Sequence, residues 1–183
     1  MHPSLIFHPG VLLSQSELSS ARLDGVLIEV GDGYMPPDLP ESAEARAASL
    51  TLIHPPGYAL CGPTAAWVHG VGYAPPSCHH LQRVSERRPR VRTMPGVVFH
   101  DRLIGRAELA FVGRAAITTR LRTLTDLVLG GGVDAEAEQW MRRFATAASD
   151  LLPRVQAIIA ARERMPGKRA ALARIAELQA MRM

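Results

Sequence analysis

The sequence predicts an α+β fold with a short N-terminal helix and hairpin, a central mixed sheet with flanking helices, and a helical C-terminal third. Short runs of β-branched and aromatic residues, bounded by Gly and Pro, fill the middle of the chain and are typical of strands. The last third instead repeats its apolar residues at helical spacing. With 183 residues, 47% of them apolar, the chain is long enough to bury a core.

The N-terminal segment reads as one helix followed by a small hairpin. Ser14 and Glu17 have the spacing of a capping box and predict a helix over 14–24. The strand "VLIEV", the turn "GDG" and the residues "YM" follow, over 26–35. The stiff stretch "PPDLP" at 36–40 predicts a boundary between a segment 1–38 and a domain 39–183.

The central region predicts a sheet with two short helices among its strands. Pro63 at a first helical position and Gly70 just past the end bracket one of these helices, "PTAAWVHG". An Arg-rich hairpin is expected to join the strands "CHHLQRV" and "GVVFH". The predicted order is a helix over 41–53, a strand over 58–61, a helix over 63–70, and strands over 78–84, 96–100, 107–113 and 115–118.

The C-terminal third predicts four helices with polar starts and Gly or Pro stops. Thr118 or Thr119 caps the first, which runs to Leu129 and stops at the three glycines 130–132. Asp134 is expected to cap the second, and Asp150 the third, with Pro153 in its first turn. The last helix follows Pro166-Gly167.

Charge is distributed unevenly along the chain. Residues 1–50 hold seven acids and two arginines, a net charge of −5, while the remainder holds ten acids and nineteen bases, a net charge of +9. Of the 21 cations, 20 are Arg, whose planar guanidinium suits phosphate binding. A GC-rich genome would also enrich Arg, together with Ala, Pro and Gly, but it does not explain the asymmetry.

Sequence features favour a cytoplasmic protein without a membrane partner. No apolar run approaches the roughly 18–20 residues that a membrane span needs. The N-terminus lacks the basic start of a signal peptide, and Pro9-Gly10 interrupts its apolar run. Cys61 and Cys78 give no disulfide framework, which fits a reducing compartment.

No metal, cofactor or catalytic constellation is predicted. The Cys and His residues that suggest zinc lack the paired, tight spacing of structural zinc sites, and adjacent Cys78, His79 and His80 alternate faces on a strand. Cys61 and His69 lie at opposite ends of a predicted helix, about 10 Å apart, too far for a nucleophilic pair. The run "LGGGVD" follows a helix and lacks a phosphate-loop Lys. We therefore expect a protein that is not an enzyme.

Two arginine features carry the functional interpretation. The segment "RVSERRPRVR" opposes one acid with five arginines, which could track the phosphates of a nucleic acid or form a solvated loop. The predicted nucleic-acid-binding residues are Arg83, Arg87, Arg88, Arg90 and Arg92. Separately, Arg122 and Asp126 have helical i, i+4 spacing and predict either a surface ion pair or an Arg that holds a neighbouring backbone.

Three segments, in order, resemble the AbiEi-type antitoxins of type IV toxin–antitoxin systems. They are "CGPTAAWVHGVG" at 61–72, "MPGVVFHDRLI" at 94–104 and "GRAAITTRLRTLTDLV" at 113–128. The resemblance covers about residues 26–130. It implies that the matching positions are fold determinants: Thr64, Ala65, Ala66, Trp67, Gly70, Thr118, Thr119, Arg122, Thr123 and Asp126.

The resemblance implies a bacterial transcriptional regulator. Members of this family typically join an N-terminal winged-helix DNA-binding module to an antitoxin domain, repress their own operon and counter a nucleotidyltransferase-like toxin. Here the winged-helix region is shortened to residues 1–38 and is acidic. The sequence therefore supports two main hypotheses. The first is a non-enzymatic regulator that binds DNA through an Arg-rich surface, and the second is a protein-interaction module, toxin-binding or homodimerising, that has lost DNA binding. An enzyme acting on nucleotides or nucleic acid is a third.

Overall fold

The structure is a computed structural model that describes residues 5–87 and 93–181. Short 3₁₀ turns lie at 51–53, 106–108 and 149–151. The helices are α1 (Gln15–Leu23), α2 (Ala43–Ser49), α3 (Gly62–Val68), α4 (Arg120–Gly130), α5 (Ala135–Ala147), α6 (Leu152–Ala160) and α7 (Lys168–Ala180). The strands are β1 (Ile28–Val30), β2 (Gly33–Met35), β3 (Tyr58–Leu60), β4 (His79–Arg83), β5 (Val97–His100), β6 (Leu109–Val112) and β7 (Ala115–Thr118).

The α+β prediction is confirmed, because five strands form a mixed sheet in the order β5-β4-β3-β7-β6. The pairs β3–β4 and β6–β7 are antiparallel, whereas β3–β7 and β4–β5 are parallel. The tight turn between β6 and β7 is made at Gly113, whose φ of +57° favours glycine. The helices α4 to α7 form the predicted helical C-terminal third.

The expectation that an Arg-rich hairpin joins the fourth and fifth strands is wrong. A hairpin makes antiparallel neighbours, but β4 and β5 run parallel, with His79 opposite Val97 and Gln82 opposite His100. The chain must therefore return from the end of β4 to its start before β5 begins. Residues 84–96 make this connection, and both strands end at the same edge of the sheet. Residues 88–92 within it lie outside the described residues.

The predicted N-terminal helix and hairpin are present. The capping box forms as expected, since the Ser14 Oγ accepts from the Glu17 backbone N–H and Glu17 accepts from the Ser14 backbone N–H. A small apolar cluster of Leu18, Leu27 and Tyr34 joins the helix to the hairpin. Three further apolar side chains of the N-terminal segment, those of Ile6, Val30 and Met35, belong to the main core.

The main core fills the space between the sheet and the helices. Trp67 of α3 and Phe144 of α5 are fully buried, and Leu60, Leu81 and Ile117 place the three central strands against the same cluster. The apolar faces of α4, α6 and α7 complete it. The C-terminal helices thus pack on the sheet as part of one hydrophobic core.

Several element boundaries differ from the predictions, and three of them change how an element starts or ends. The helix expected over 41–53 ends at Ser49 and continues as a 3₁₀ turn, and Cys61 caps α3 instead of ending β3. Asp150 does not cap α6: the N-cap is Leu151, without a side-chain hydrogen bond. The reason is that the 3₁₀ turn at 149–151 runs directly into α6, so the chain never takes the extended conformation of a capping residue.

Among residues 5–87 and 93–181, no helix combines the length and the apolar character required to cross a membrane.

Candidate ligand-binding cleft and its basic rim

Arg83 anchors the base of the Arg-rich segment. Its Nε donates to the Asp101 carbonyl at 2.9 Å and lies 3.2 Å from the Asp101 carboxylate. Its Nη1 donates to the carbonyls of Ser85 and Glu86 at 2.9 and 3.0 Å. These contacts tie the residues that follow β4 to those that follow β5, so Arg83 positions the segment.

Exposed arginines lie at the edge of the sheet where β4 and β5 end. Arg87 follows β4 and Arg102 follows β5, and both are exposed. The parallel pairing brings them to the same edge, and the Gln82 side-chain amide donates to the Arg102 carbonyl. The other predicted nucleic-acid-binding arginines, Arg88, Arg90 and Arg92, lie outside the described residues.

A cleft of about 670 Å³ opens beside this basic edge. The face of β4 and β5 that carries His80, Gln82 and His100 forms one side, and α4 and α5 form the other. Arg102 lies among the lining residues and therefore connects the cleft to the basic edge. The volume falls within the range of roughly 300–1,000 Å³ that is typical of small-molecule sites.

Two histidines form a hydrogen-bonded, side-by-side pair inside the cleft. The rings of His80 and His100 lie 5.2 Å apart between centroids, with an interplanar angle of 20°. The His80 Nδ1 and the His100 Nε2 are separated by 3.0 Å, so one nitrogen donates a hydrogen bond to the other. Within the described ranges, neither the His80 Nε2 nor the His100 Nδ1 has a protein hydrogen-bond partner.

Both imidazoles are neutral at pH 7. Burial, with a smaller contribution from the neighbouring His100, lowers the pKa of His80 to about 4, and the charges of Glu136 and Asp134 oppose this only in part. Burial also lowers the pKa of His100, and the Asp126 carboxylate only partly offsets this effect. A neutral pair that shares one hydrogen bond offers ligand chemistry different from that of two imidazolium cations.

Arg122 joins the cleft wall to the sheet through two carboxylates. Its Nε donates to both Asp126 oxygens at 2.7 and 2.8 Å, and its Nη1 lies 2.7 Å from the Glu108 Oε1. The predicted i, i+4 pair with Asp126 forms, but Arg122 is buried and not on the surface, and its side chain contacts carboxylates where the alternative expected a neighbouring backbone. Burial opposes its charged form, but the hydrogen bonds and charges of Asp126 and Glu108 outweigh this effect and raise the pKa of Arg122.

Cys61 also lines the cleft but is not a reactive thiol. Burial raises the pKa of Cys61 far above its ordinary value, and the Asp126 charge raises it further. A protonated thiol is a poor nucleophile. His69 turns away from Cys61, since its Nε2 donates to the Thr118 carbonyl at 2.8 Å and it caps the C-terminus of α3.

The residues that carry the antitoxin resemblance hold α3 and α4 on the sheet. Thr64 accepts from the His80 backbone N–H at 2.8 Å, and the Thr118 and Thr123 hydroxyls bond at 2.7 Å. Thr119 caps α4, accepting from the Arg122 N–H. Ala65, Ala66 and Trp67 are fully buried, and Gly70 has φ +96° directly after α3.

The histidine pair is the feature that sequence reasoning missed. The only signal is that "HHLQR" and "VVFH" each carry a His on a strand. Strand order and parallel register, neither of which the sequence indicates, place His80 and His100 on one face. Among the described residues, no cluster of three or more His, Cys, Asp or Glu side chains is arranged to hold a metal ion.

Comparisons with known proteins add no family to this picture. No family model matches the chain, and no curated protein matches it.

Proposed function

We propose that this protein is a non-enzymatic, cytoplasmic regulator, similar in kind to the AbiEi-type antitoxins, that binds DNA through its Arg-rich edge. The observation that carries the proposal is the parallel pairing of β4 and β5, because it brings Arg87, which follows β4, to the same edge of the sheet as Arg102, which follows β5. Arginines grouped along one edge favour a phosphate backbone as the ligand.

The charge distribution supports this choice of ligand. Residues after position 50 carry a net charge of +9, and the opposing negative charge is concentrated in residues 1–50. Arg83 is committed to carbonyls and to Asp101, so its role is to hold the segment in place. We assign the phosphate contacts to the exposed Arg87 and Arg102 and to the other arginines of the connection between β4 and β5.

The test is fluorescence anisotropy with labelled duplex DNA from upstream of the gene and a scrambled duplex, each titrated at several salt concentrations. We expect tighter binding to the native duplex. The Arg87→Ala variant should weaken binding to both duplexes and reduce the slope of log K against log salt by about one.

The matched control is Arg22→Ala, which removes one positive charge from α1 in the acidic N-terminal segment. Arg22 pairs with Glu29 on the protein surface. We expect its salt slope to equal that of the wild type. Equal slopes for all three proteins, or no binding to either duplex, would contradict the proposal.

A second function, protein interaction, is favoured by a separate observation. Val11, Leu12, Leu23 and Val26 of the N-terminal segment expose between 61% and 82% of their surface. Exposed apolar side chains mark an interaction surface where they join into a contiguous patch. Light scattering tests homodimerisation, and co-purification with a co-expressed toxin encoded beside the gene tests the heterologous partner. A monomer without a bound toxin would exclude both forms of this alternative.

A further inference from the structure

We propose that the cleft between β4–β5 and α4–α5 binds a nucleobase, with the attached phosphate on the basic rim at Arg102. The nucleobase belongs either to a bound nucleic-acid strand or to a free nucleotide. The assignment of the rim to phosphate rests on the proposed function, whereas the assignment of the cleft to a base rests on the cleft itself.

The cleft has the size and the walls that a base requires. Its volume of about 670 Å³ accommodates a nucleotide and leaves room for water. Pro63, Leu129 and Val133 contribute apolar surface to the lining. A planar heteroaromatic ring gains from contact with apolar walls, whereas a free sugar or a small inorganic anion gains little from them.

The histidine pair supplies hydrogen-bonding groups that a base can use. Both rings are neutral at pH 7 and share one hydrogen bond, so one ring is its donor and the other its acceptor. In either tautomeric arrangement, the two remaining nitrogens present one donor and one acceptor. The two unshared nitrogens lie on the outer sides of the pair, so a base edge bonds one of them, through either its acceptor or its donor.

Further polar groups stand around the pair. Asp126 lines the cleft and is held in orientation by Arg122, which leaves acceptor capacity on its carboxylate. Gln82 uses its amide nitrogen on the Arg102 carbonyl, so its amide oxygen remains an acceptor. Exocyclic amino groups of bases are the donors that such acceptors recognise.

The rim places positive charge where a phosphate would emerge. Arg102 is exposed and lines the cleft, and its backbone is fixed to Gln82 of β4. The Arg-rich connection starts at the same edge, where Arg83 ties it to Asp101. A base in the cleft therefore carries its phosphate toward the arginines that the proposed function assigns to the nucleic-acid backbone.

The first experiment follows the histidine ring C2–H resonances of the wild-type protein during titration with dAMP, dGMP, dCMP and TMP, and with inorganic phosphate as a control. We expect at least one nucleotide to shift the His80 and His100 resonances, and phosphate alone to leave them in place. The His100→Phe variant keeps a planar ring and removes both nitrogens, so it should weaken that nucleotide about tenfold. This titration uses no DNA.

The second experiment compares a single-stranded oligonucleotide with the same strand carrying abasic sites, by anisotropy on wild type, His100→Phe and Arg87→Ala. A base supplied by the strand predicts tighter binding of the intact strand, by about tenfold, and the loss of this difference in His100→Phe. A free-nucleotide ligand predicts equal binding of the two strands together with the nucleotide-induced shifts. Arg87→Ala should weaken both strands equally, because it acts on phosphate.

The failures of the two proposals are distinguishable. The nucleobase site is overturned if no nucleotide shifts the two histidines and the intact and abasic strands bind equally. It is also overturned if inorganic phosphate reproduces the shifts, or if a preference for the intact strand survives in His100→Phe. The proposed DNA-binding function fails separately, through an unchanged salt slope in Arg87→Ala, whatever the nucleotides do at the histidines.

Discussion

At the scale of single residues, burial determines what the ionisable side chains of the cleft can do. The histidine pair stays neutral because its surroundings penalise an imidazolium, and Cys61 stays protonated for the same reason. Arg122 remains charged in a buried position because two carboxylates contact it. The cleft therefore combines neutral hydrogen-bonding groups with a fixed ion-pair network.

The neutral histidines predict a pH dependence of stability. The pKa of His80 is about 4 in the folded protein against an ordinary value of 6.5, so the unfolded chain binds a proton first as pH falls. The contribution of His80 to the free energy of unfolding should therefore be complete above pH 6.5 and should be lost as the pH falls from 6.5 to 4. In the His80→Gln variant, the slope of the free energy of unfolding against pH should be smaller in this range, by the equivalent of up to about one proton.

Urea unfolding of wild type and His80→Gln at closely spaced pH values measures this difference. The comparison isolates His80 from the other histidines with lowered pKa values, His54, His69 and His100, which remain in both proteins. Parallel pH profiles for the two proteins would show that His80 titrates normally in the folded state.

Removal of Arg122 should cost more stability than removal of an exposed arginine. Arg122→Met leaves Asp126 and Glu108 without their shared cation, and we expect a loss of about 2–3 kcal/mol, below the ~3–5 kcal/mol of fully buried pairs because both acids keep some exposure. The control Arg142→Met breaks the exposed pair with Glu138 and should cost at most about 0.5 kcal/mol. Equal losses in chemical denaturation would refute the structural role of Arg122.

At the scale of elements, close contacts between turns and helices fix how the N-terminal hairpin sits on the rest of the protein. Gly31, in the turn between β1 and β2, has φ +52° and lies against α2 and α3. A Cβ on this residue would meet the Ser49 Oγ and come within 2.8 Å of the Trp67 Cη2. Trp67 is fully buried, so it has no space into which it can move.

Gly31→Ala should therefore be among the most destabilising glycine substitutions in this chain. We expect a loss of about 1 kcal/mol from the left-handed backbone and a further ~1–3 kcal/mol from overpacking. Gly25→Ala is the matched control, because Gly25 has φ +73° and nothing within 4 Å of an added Cβ. Thermal denaturation of both variants gives the difference, and equal melting temperatures would exclude the steric contribution.

At the scale of the whole molecule, apolar side chains from both sides of the predicted boundary at residue 38 share the main core. Leu18, Leu27 and Tyr34 form a small cluster of their own, but Ile6, Val30 and Met35 pack into the main core. The acidic N-terminal segment therefore contributes apolar surface to the domain that carries the cleft and the basic edge.

Deletion of residues 1–38 should destabilise the remaining 39–183 fragment by about 5 kcal/mol, since it removes the burial of three apolar side chains at roughly 1.5–3 kcal/mol each. In calorimetry, the full chain should unfold in a single transition. Two separate transitions, or a fragment as stable as the full chain, would show instead that the segment is an autonomous domain.

Local signals in the sequence were sufficient to predict which helices and strands form. Apolar periodicity, the capping residues Ser14, Thr119 and Asp134, and the Gly and Pro stops are local signals, and the corresponding helices and strands appear close to their predicted positions. The errors at the end of α2 and at the start of α6 both arise at 3₁₀ turns, one that extends α2 and one that runs into α6. The five arginines of the basic segment were also evident from sequence alone.

How the strands pair depends on the tertiary structure, and the cleft is formed by that pairing. Nothing local distinguishes a parallel from an antiparallel partner for β5, because strand direction depends on where the connection returns the chain. The parallel register places His80 beside His100, 20 positions away in sequence, and brings Arg87 and Arg102 to one edge of the sheet. Burial then lowers the pKa values of both histidines, and burial is a property of the packed molecule that no sequence pattern contains.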